Sequence, residues 1–431
     1  MVKLSKSTMI AVGSLAMAAA STSATSQVTF EIIGAGGATD ISNDGTVIVG
    51  NTNDVYETFY WTAETGILPL GRATVPAIGV GAGAPEVSSD GTRISATILT
   101  DDGMYATQGI WDINIGWQQC IPPVPPDGGV LDQSYGSAWG LSGDGATLVG
   151  LYWRPGQPGG SAHPSLWTQS GGLVDLGTQG GSGRANGVNF DGSVVAGWIE
   201  NPNFGNWWPT VWVNGVRTVL KETEGFAEAS AVSSDGTIIV GSSWFPPIGP
   251  FSVEEAAIWR WNGSAWVEQQ IGKLPGTASP FGVAIANGVT ADGSMVVGYN
   301  RFTHPGNATG FIWTEAGGLV DVAAYLTANG VTIPADFDIL SLSAITDDGS
   351  VLVGNGQDLV EPYTARSFRI DRCALRGDVN KDTVIDGADI AGFVRAKLGE
   401  PALAGENQLC AIYGGTLVDD VAAFAADLLG N

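Results

Sequence analysis

Positive charge is scarce in this sequence. Eighteen Lys and Arg stand against 43 Asp and Glu, a formal net charge of −25. Nucleic-acid binding needs a basic face for the phosphates, and no basic cluster exists, so that class is excluded. An anionic membrane surface is a poor partner for the same reason. Histidine is limited to two residues and cysteine to three, and no CxxC or Cys/His spacing offers a zinc site. A nucleophile elbow and a phosphate loop are missing too. Past the N-terminus no apolar run is long enough to span a bilayer. Only 14% of residues are charged while 44% are hydrophobic, which excludes a disordered chain. The acid excess suits a secreted protein and cation binding.

At 431 residues there is room for two or three domains. The N-terminus has the order of a secretory signal: Lys3 and Lys6, the apolar "TMIAVGSLAMAAA", then the small residues "STSATS". Cleavage after Ser26 is expected, making residues 1–26 a signal peptide; the alternative is an ordinary N-terminal helix. The expected location is secreted, extracellular or at the cell-envelope surface. Export permits a disulfide. Cys373 and Cys410 share the C-terminal region and are open to pairing, whereas Cys120 reads as a buried thiol.

Glycine is abundant, at 63 residues, and much of it belongs to a repeat. The units are "SNDGTVIVG" at Ser42, "SSDGTRISA" at Ser88, "SGDGATLVG" at Ser142, "NFDGSVVAG" at Asn189, "SSDGTIIVG" at Ser233, "TADGSMVVG" at Thr290 and "TDDGSVLVG" at Thr346. Successive aspartates lie 44 to 57 residues apart, a period that marks propeller blades. Each unit has an alternating run before Asp-Gly and a β-branched run after it. A strand carrying Trp61, Trp111, Trp167, Trp212, Trp259, Trp313 or, in the seventh unit, Phe368 follows. Several units close with a fourth strand such as "GGLVDLG". Asp-Gly is expected to form a two-residue hairpin turn using positive φ.

Seven units of four antiparallel strands predict an all-β chain, a seven-bladed β-propeller over residues 27–371. A parallel β-solenoid is the alternative. The seventh unit lacks a fourth strand. "VTFEIIGAGG", from Val28 to Gly37, is similar to one and is expected to complete the last blade and remove the ring seam. The repeat resembles the bacterial extracellular HAF-repeat proteins. That resemblance covers residues 28–370 and implies a secreted repeat architecture, not a reaction.

The repeated aspartates read as turn residues and the third-strand tryptophans as core. Function is expected at the loops between second and third strands. There Trp153, Trp198, Trp207, Trp208, Trp244, Phe245, Tyr299 and Phe302 are candidates to line one rim and stack on sugar rings or form a protein hot spot. The alternative is that they fold back over blade edges. His163 and His304 stand beside proline in these loops. No catalytic residue is assigned, because no carboxylate pair stands out.

After Cys373 the composition changes. In "RGDVNKDTVIDGADIAGFVRAKLGE", Asp378, Asn380, Asp382, Asp386 and Asp389 occupy positions 1, 3, 5, 9 and 12 of a twelve-residue loop, with the Val384 carbonyl at position 7. That is the spacing with which hard oxygen ligands wrap Ca²⁺. Ile385 is expected to point inward, and the exit reads as an amphipathic helix. The alternative is an acidic turn without metal. Residues 375–431 resemble a type I dockerin, a small α-helical Ca²⁺-binding module that docks on cohesin domains. Thr383 departs from the glycine usual at position 6. In the second half Asp420, Phe424, Leu429 and Gly430 match Asp389, Phe393, Leu398 and Gly399. Leu409, Ala411 and Tyr413 fall where ligands would be, so one Ca²⁺ is expected. The domain reading is 1–26 signal peptide, 27–371 propeller and 372–431 dockerin-like module.

The functional expectation is a non-catalytic binding or scaffold protein. Its propeller face would take a polysaccharide or protein ligand, and its tail would bind Ca²⁺ and a cohesin-type partner. The alternatives are a dockerin-bearing enzyme acting on polysaccharide and a purely structural surface protein.

Overall fold

The computed structural model describes residues 27–430 apart from 54–56, 73–82, 104, 122–135, 155–161, 246–252, 276–281, 302–307, 374, 382–383, 404–405 and 414–416. Residues 1–26, where a signal peptide is expected, and Phe302, His304, Asp382 and Thr383 lie outside the described residues.

Seven four-stranded antiparallel sheets follow one another along the chain, which makes a seven-bladed β-propeller. In six blades consecutive strands lie side by side from the inner to the outer edge. Blade 3, for example, uses Gly136–Leu141, Thr147–Trp153, Ala162–Thr168 and Gly172–Asp175. Blade 7 has Phe337–Ile345, Val351–Asp358 and Ala365–Asp371, and borrows Thr29–Ala35 as its outer strand. The register runs from Thr29↔Asp371 to Ala35↔Arg366. The N-terminal strand therefore closes the ring as its sequence predicts. The seam is also bonded inside: Asn355 Nδ2 donates to the Ala38 carbonyl at 2.9 Å, and Ala38 N donates to Asn355 Oδ1 at 2.7 Å.

The third strand lies between two strands of its own sheet and faces the next blade. Its aromatic residue is accordingly core: Trp212, Trp259 and Phe368 are fully buried, Trp61, Trp167 and Trp313 are buried, and Trp111 is half-buried. Burying each large side chain is worth about 2–3 kcal/mol. The apolar clusters sit between blades, as where Ile238, Val240 and Ile258 of blade 5 meet Val296, Phe311 and Trp313 of blade 6.

The Asp-Gly turn is longer than a two-residue hairpin. In blade 5, Ser233 N donates to the Ile238 carbonyl at 2.8 Å, so four residues bridge the strands. Only the glycine takes positive φ, between 69° and 79° in all seven units, and the aspartate does not. Asp235 Oδ1 accepts from Ser233 Oγ at 2.7 Å and Thr237 N at 2.9 Å, while Ile238 N donates to Ser233 Oγ at 3.0 Å. Burial opposes ionisation of Asp235, but these hydrogen bonds outweigh it and hold the carboxyl below its usual range. The buried Ser, Thr or Asn two residues before each aspartate is thus an equal partner in the turn.

The glycine that ends each "VG" run has a separate cause. Six inner strands carry a β-bulge that skips Thr39, Trp139, Asn186, Ser230, Asn287 or Ser343. The bulge presses an inner-strand carbonyl onto Gly50, Gly150, Gly197, Gly241, Gly298 or Gly354, where a Cβ would overlap the oxygen. Blade 2 has Ala96 instead, and there the inner strand pairs over Glu86–Val87 alone. The bulged side chains tie blade to blade: Asn186 Nδ2 donates to the Ala229 carbonyl at 2.9 Å and Asn287 Nδ2 to that of Leu342 at 2.8 Å.

Helix α1 (Val322–Ala328) links blades 6 and 7, with Asp321 accepting from Ala324 N at its start. The chain ends in α2 (Ile390–Lys397), a 3₁₀ turn Gln408–Ala411 and α3 (Leu417–Leu428). A Cys373–Cys410 disulfide staples this region, and Cys120 is free and buried, with burial pushing its thiol up to about 12.

Candidate functional site

The mouth is the face opposite the Asp-Gly turns, where second strands end and third strands begin. The aromatics expected there have separate fates. Trp198 is buried and stacks on half-buried Trp207 at 4.0 Å between centroids and 7° between planes. Trp207 meets exposed Phe226 edge-on at 5.1 Å. On the channel side the Arg184 guanidinium lies 3.7 Å from the Trp139 centroid and 5.6 Å from that of Trp198. The result is a ladder, Trp139–Arg184–Trp198–Trp207–Phe226, in which the rings occupy one another's faces. Trp208 is buried, its Nε1 bonded to the Thr223 carbonyl at 3.1 Å. Half-buried Trp244 lies against Gly225, and the Lys221 ammonium sits 4.3 Å from the Phe245 centroid. Trp153 is exposed.

Tyr299 is different, because it joins a polar cluster. Arg184 Nη2 donates to Glu228 Oε2 at 2.6 Å, and Asn186 Nδ2 donates to the same oxygen at 3.0 Å. Ser242 Oγ donates to Glu254 Oε1 at 2.8 Å and accepts from Glu228 N at 3.3 Å. Burial, added to the Glu228 charge, pushes Glu254 up to about 7. Burial and Glu228 also raise the Tyr299 phenol, which feels Glu254 and the exposed Arg301 as well. Blades 4, 5 and 6 therefore bring a paired carboxylate, a proton-holding carboxyl, a phenol and a guanidinium to one stretch of rim. Elsewhere, His163 Nδ1 lies 2.9 Å from Asp175 Oδ2, which also accepts from Tyr152 at 2.8 Å; this group holds the outer edge of blade 3 together.

A carboxylate pair does exist, inside the channel. Asp40 and Glu86 line a cavity of about 170 Å³ together with Asn186, Ser230, Asn287 and Ser343. Burial pushes Asp40 up to about 6, against a hydrogen bond from Val87 N at 2.8 Å. Burial and then the Asp40 charge and hydrogen bond raise Glu86 well above its ordinary range. The pair has a trace in the repeat. Four residues before the turn aspartate, the other five units have Gly140, Gly187, Ala231, Gly288 and Ala344. Small residues there leave the space that the two carboxyls enter.

In the C-terminal region Asp378 and Asp389 are fully buried carboxylates. Asp389 accepts from Asn380 N at 2.9 Å and Asp386 N at 3.0 Å, which folds the loop back onto the start of α2. Asn380 is half-buried, and Asp386 and Val384 are exposed. Ile385 points inward as expected, against the stacked Phe393–Phe424 pair, 4.0 Å apart. Among the described residues no three His, Cys, Asp or Glu side chains converge, and Asp382 is outside them. The second half repeats the frame with a different partner at its buried aspartate. Asp420 is buried like Asp389 but is paired with Lys397 of α2. Gly399 and Gly430 both end their helices at φ 68°.

No family model and no curated protein matches this chain. Among solved structures it is similar to an oligogalacturonate lyase in complex with manganese, at 13% identity and TM-score 0.48, over 80% of this chain and 90% of that one. It is also similar to the β-propeller domain of the Trilobed protease from Pyrococcus furiosus, at 12% identity and TM-score 0.44, over 75% and 88%. TolB from Acinetobacter baumannii matches at 13% identity and TM-score 0.37 over 66% of this chain, which spans 62% of that protein's length. These likenesses concern the propeller fold and carry no activity over.

Proposed function

We propose that this is an exported, non-catalytic binding protein. Its propeller mouth takes a glycan, and its C-terminal module is a dockerin-like element that binds one Ca²⁺ and offers a surface to a cohesin-type partner. The observation that carries the first part is the mouth cluster. Glu228, Glu254, Tyr299 and Arg301 present mixed donors and acceptors beside the Trp198–Trp207 stack, the pairing of polar groups and rigid aromatic surface that sugars need. A glycan array on the full chain tests it. Binding that falls at least tenfold in Tyr299→Ala or Arg301→Ala, with unchanged circular dichroism, is expected. Absence of binding to every glycan would end this reading.

The donor set of the first loop fits a hard cation. Asp378 and Asp389 are buried oxygen donors, the loop is held in a turn at Lys381 with φ 66°, and the equivalent Asp420 is satisfied by an ammonium. When bound, Ca²⁺ would supply positive charge that the buried carboxylates need. Asp378, Asn380, Asp382, Asp386, Asp389 and the Val384 carbonyl would hold it. Calorimetry with CaCl₂ is expected to give one site per chain, lost in Asp378→Ala.

A second reading, a polysaccharide-active enzyme, has one observation in its favour. Burial and the neighbouring Glu228 push Glu254 up to about 7, the kind of raised carboxyl that serves as the acid of an acid–base pair. Release of reducing sugar that disappears in Glu254→Gln would replace the binding reading with this one.

A further inference from the structure

Gln27 stands two residues ahead of the strand that closes the ring. Its Nε2 donates to the Asp378 carbonyl at 2.7 Å and to Asp378 Oδ2 at 2.9 Å. Its Oε1 accepts from Asn407 Nδ2 at 3.1 Å. Asn407 in turn donates from its main chain to the Val379 carbonyl at 2.7 Å and from its side chain to that of Arg372 at 3.2 Å. One amide from the start of the chain is therefore held between the two halves of the C-terminal module. It bonds the carboxylate that opens the acidic loop. The module also grips blade 7 directly, since Arg376 reaches Ser350 Oγ at 3.1 Å while bonding the Ile412 carbonyl at 2.7 Å. Val28, next to Gln27, is buried in the cluster between blades 6 and 7.

We propose that Gln27 is a positioning residue of the cation loop, and that cation binding and closure of the propeller ring are coupled through it. The proposal rests on the Ca²⁺ reading above. A neutral amide bonded to Oδ2 leaves the carboxylate its charge and fixes its orientation, which is how groups behind a metal ligand act. Such groups typically change affinity by about 10–100-fold. Coupling is reciprocal: if Gln27 helps Asp378 hold a cation, the cation helps Asp378 hold Gln27. What Gln27 leads into is the outer strand of blade 7. Without Thr29–Ala35, the strand Ala365–Asp371 would be an open sheet edge.

The test uses the full chain, with CaCl₂ against chelator. Calorimetry compares wild type with Gln27→Ala, and hydrogen exchange follows the amides of residues 29–35. The expected result is a 10–100-fold loss of Ca²⁺ affinity in Gln27→Ala and slower exchange in the closing strand when wild type holds Ca²⁺. Equal affinity in the variant, or exchange in 29–35 indifferent to Ca²⁺ in a wild type that binds it, overturns the coupling and leaves the Ca²⁺ reading standing. A wild type that binds no Ca²⁺ overturns both. If Gln27→Ala does not fold, the exchange measurement on wild type decides alone.

Discussion

Placing a methyl group on Gly241 tests the account of the repeated glycines and reaches the mouth at once. The added Cβ would overlap the Glu228 carbonyl oxygen and lie 2.9 Å from both Ala229 Cα and Ser230 N. All three are backbone atoms of the bulged inner strand, so no side chain can rotate away. Gly241 has no positive φ, so its backbone suits alanine and the effect is steric. Overpacking of this kind costs about 1–3 kcal/mol, and a collision with three fixed atoms belongs near the top of that range. Against it stands a gain of about 0.4–1 kcal/mol from a stiffer unfolded chain. The expected net loss for Gly241→Ala is therefore about 2 kcal/mol. Urea unfolding followed by tryptophan fluorescence reads it as a lower midpoint at unchanged slope. Gly37→Ala is the control. It lies on the inner strand of blade 1, and its nearest neighbour beyond adjacent residues, Asn355 Oδ1, is 3.7 Å from the new Cβ. That variant should be neutral or slightly stabilised. Gly241→Ala as stable as wild type, or Gly37→Ala equally damaged, would refute the reasoning. Because Glu228 is the mouth carboxylate, ligand binding at the rim should weaken in Gly241→Ala and not in Gly37→Ala.

Two further outcomes concern buried charge. Burial raises the folded-state pKa of Asp40 from 3.8 to about 6, so the folded protein holds this proton more tightly than the unfolded chain. The associated stability is fully present below pH 3.8 and is lost as pH rises through about 6; Asp40→Asn should flatten that decline in urea midpoints, and an identical pH profile in the variant would count against the raised Asp40 carboxyl. Lys397→Met would leave the buried Asp420 carboxylate without its ammonium, costing about 3–5 kcal/mol, whereas Lys397→Met with Asp420→Asn should regain most of it. A loss below about 1 kcal/mol in thermal unfolding of the single variant would show that the pair is merely a surface contact.

The architecture was readable because its signals are local and repeated. Each turn needs a glycine at positive φ beside an aspartate that accepts local hydrogen bonds, and seven copies at blade spacing leave little choice of fold. The third-strand tryptophan is legible for a similar reason, since a strand flanked on all sides repeats one bulky residue. The rim was harder. Trp198 and Trp207 look alike in the sequence as exposed platforms, but they lie diagonally on neighbouring strands, with Trp198 paired to Pro209 and Trp207 to Glu200, and their rings cover one another. Asp40 and Glu86 come from different units, and neither is unusual alone. Their signal is a departure from small residues at one repeat position, visible only when the units are aligned by the bulge. Gln27 had no sequence signal at all, because its partners Asp378 and Asn407 lie more than 350 residues away.

The ring closure sets an order of events. As the chain emerges during synthesis, Thr29–Ala35 comes out first, yet its partner Ala365–Asp371 is the last propeller strand to appear. Six blades can form while it waits. The entropy of closing so long a loop grows only slowly with length, by about 0.6 kcal/mol per doubling, so the delay is kinetic more than energetic. During it, the waiting strand is an unpaired apolar segment free to find another chain's seventh blade. Two such chains exchanging first strands would each be fully bonded. A domain-swapped dimer is the characteristic misassembly of this topology, favoured by crowding early in folding and absent once the ring has shut.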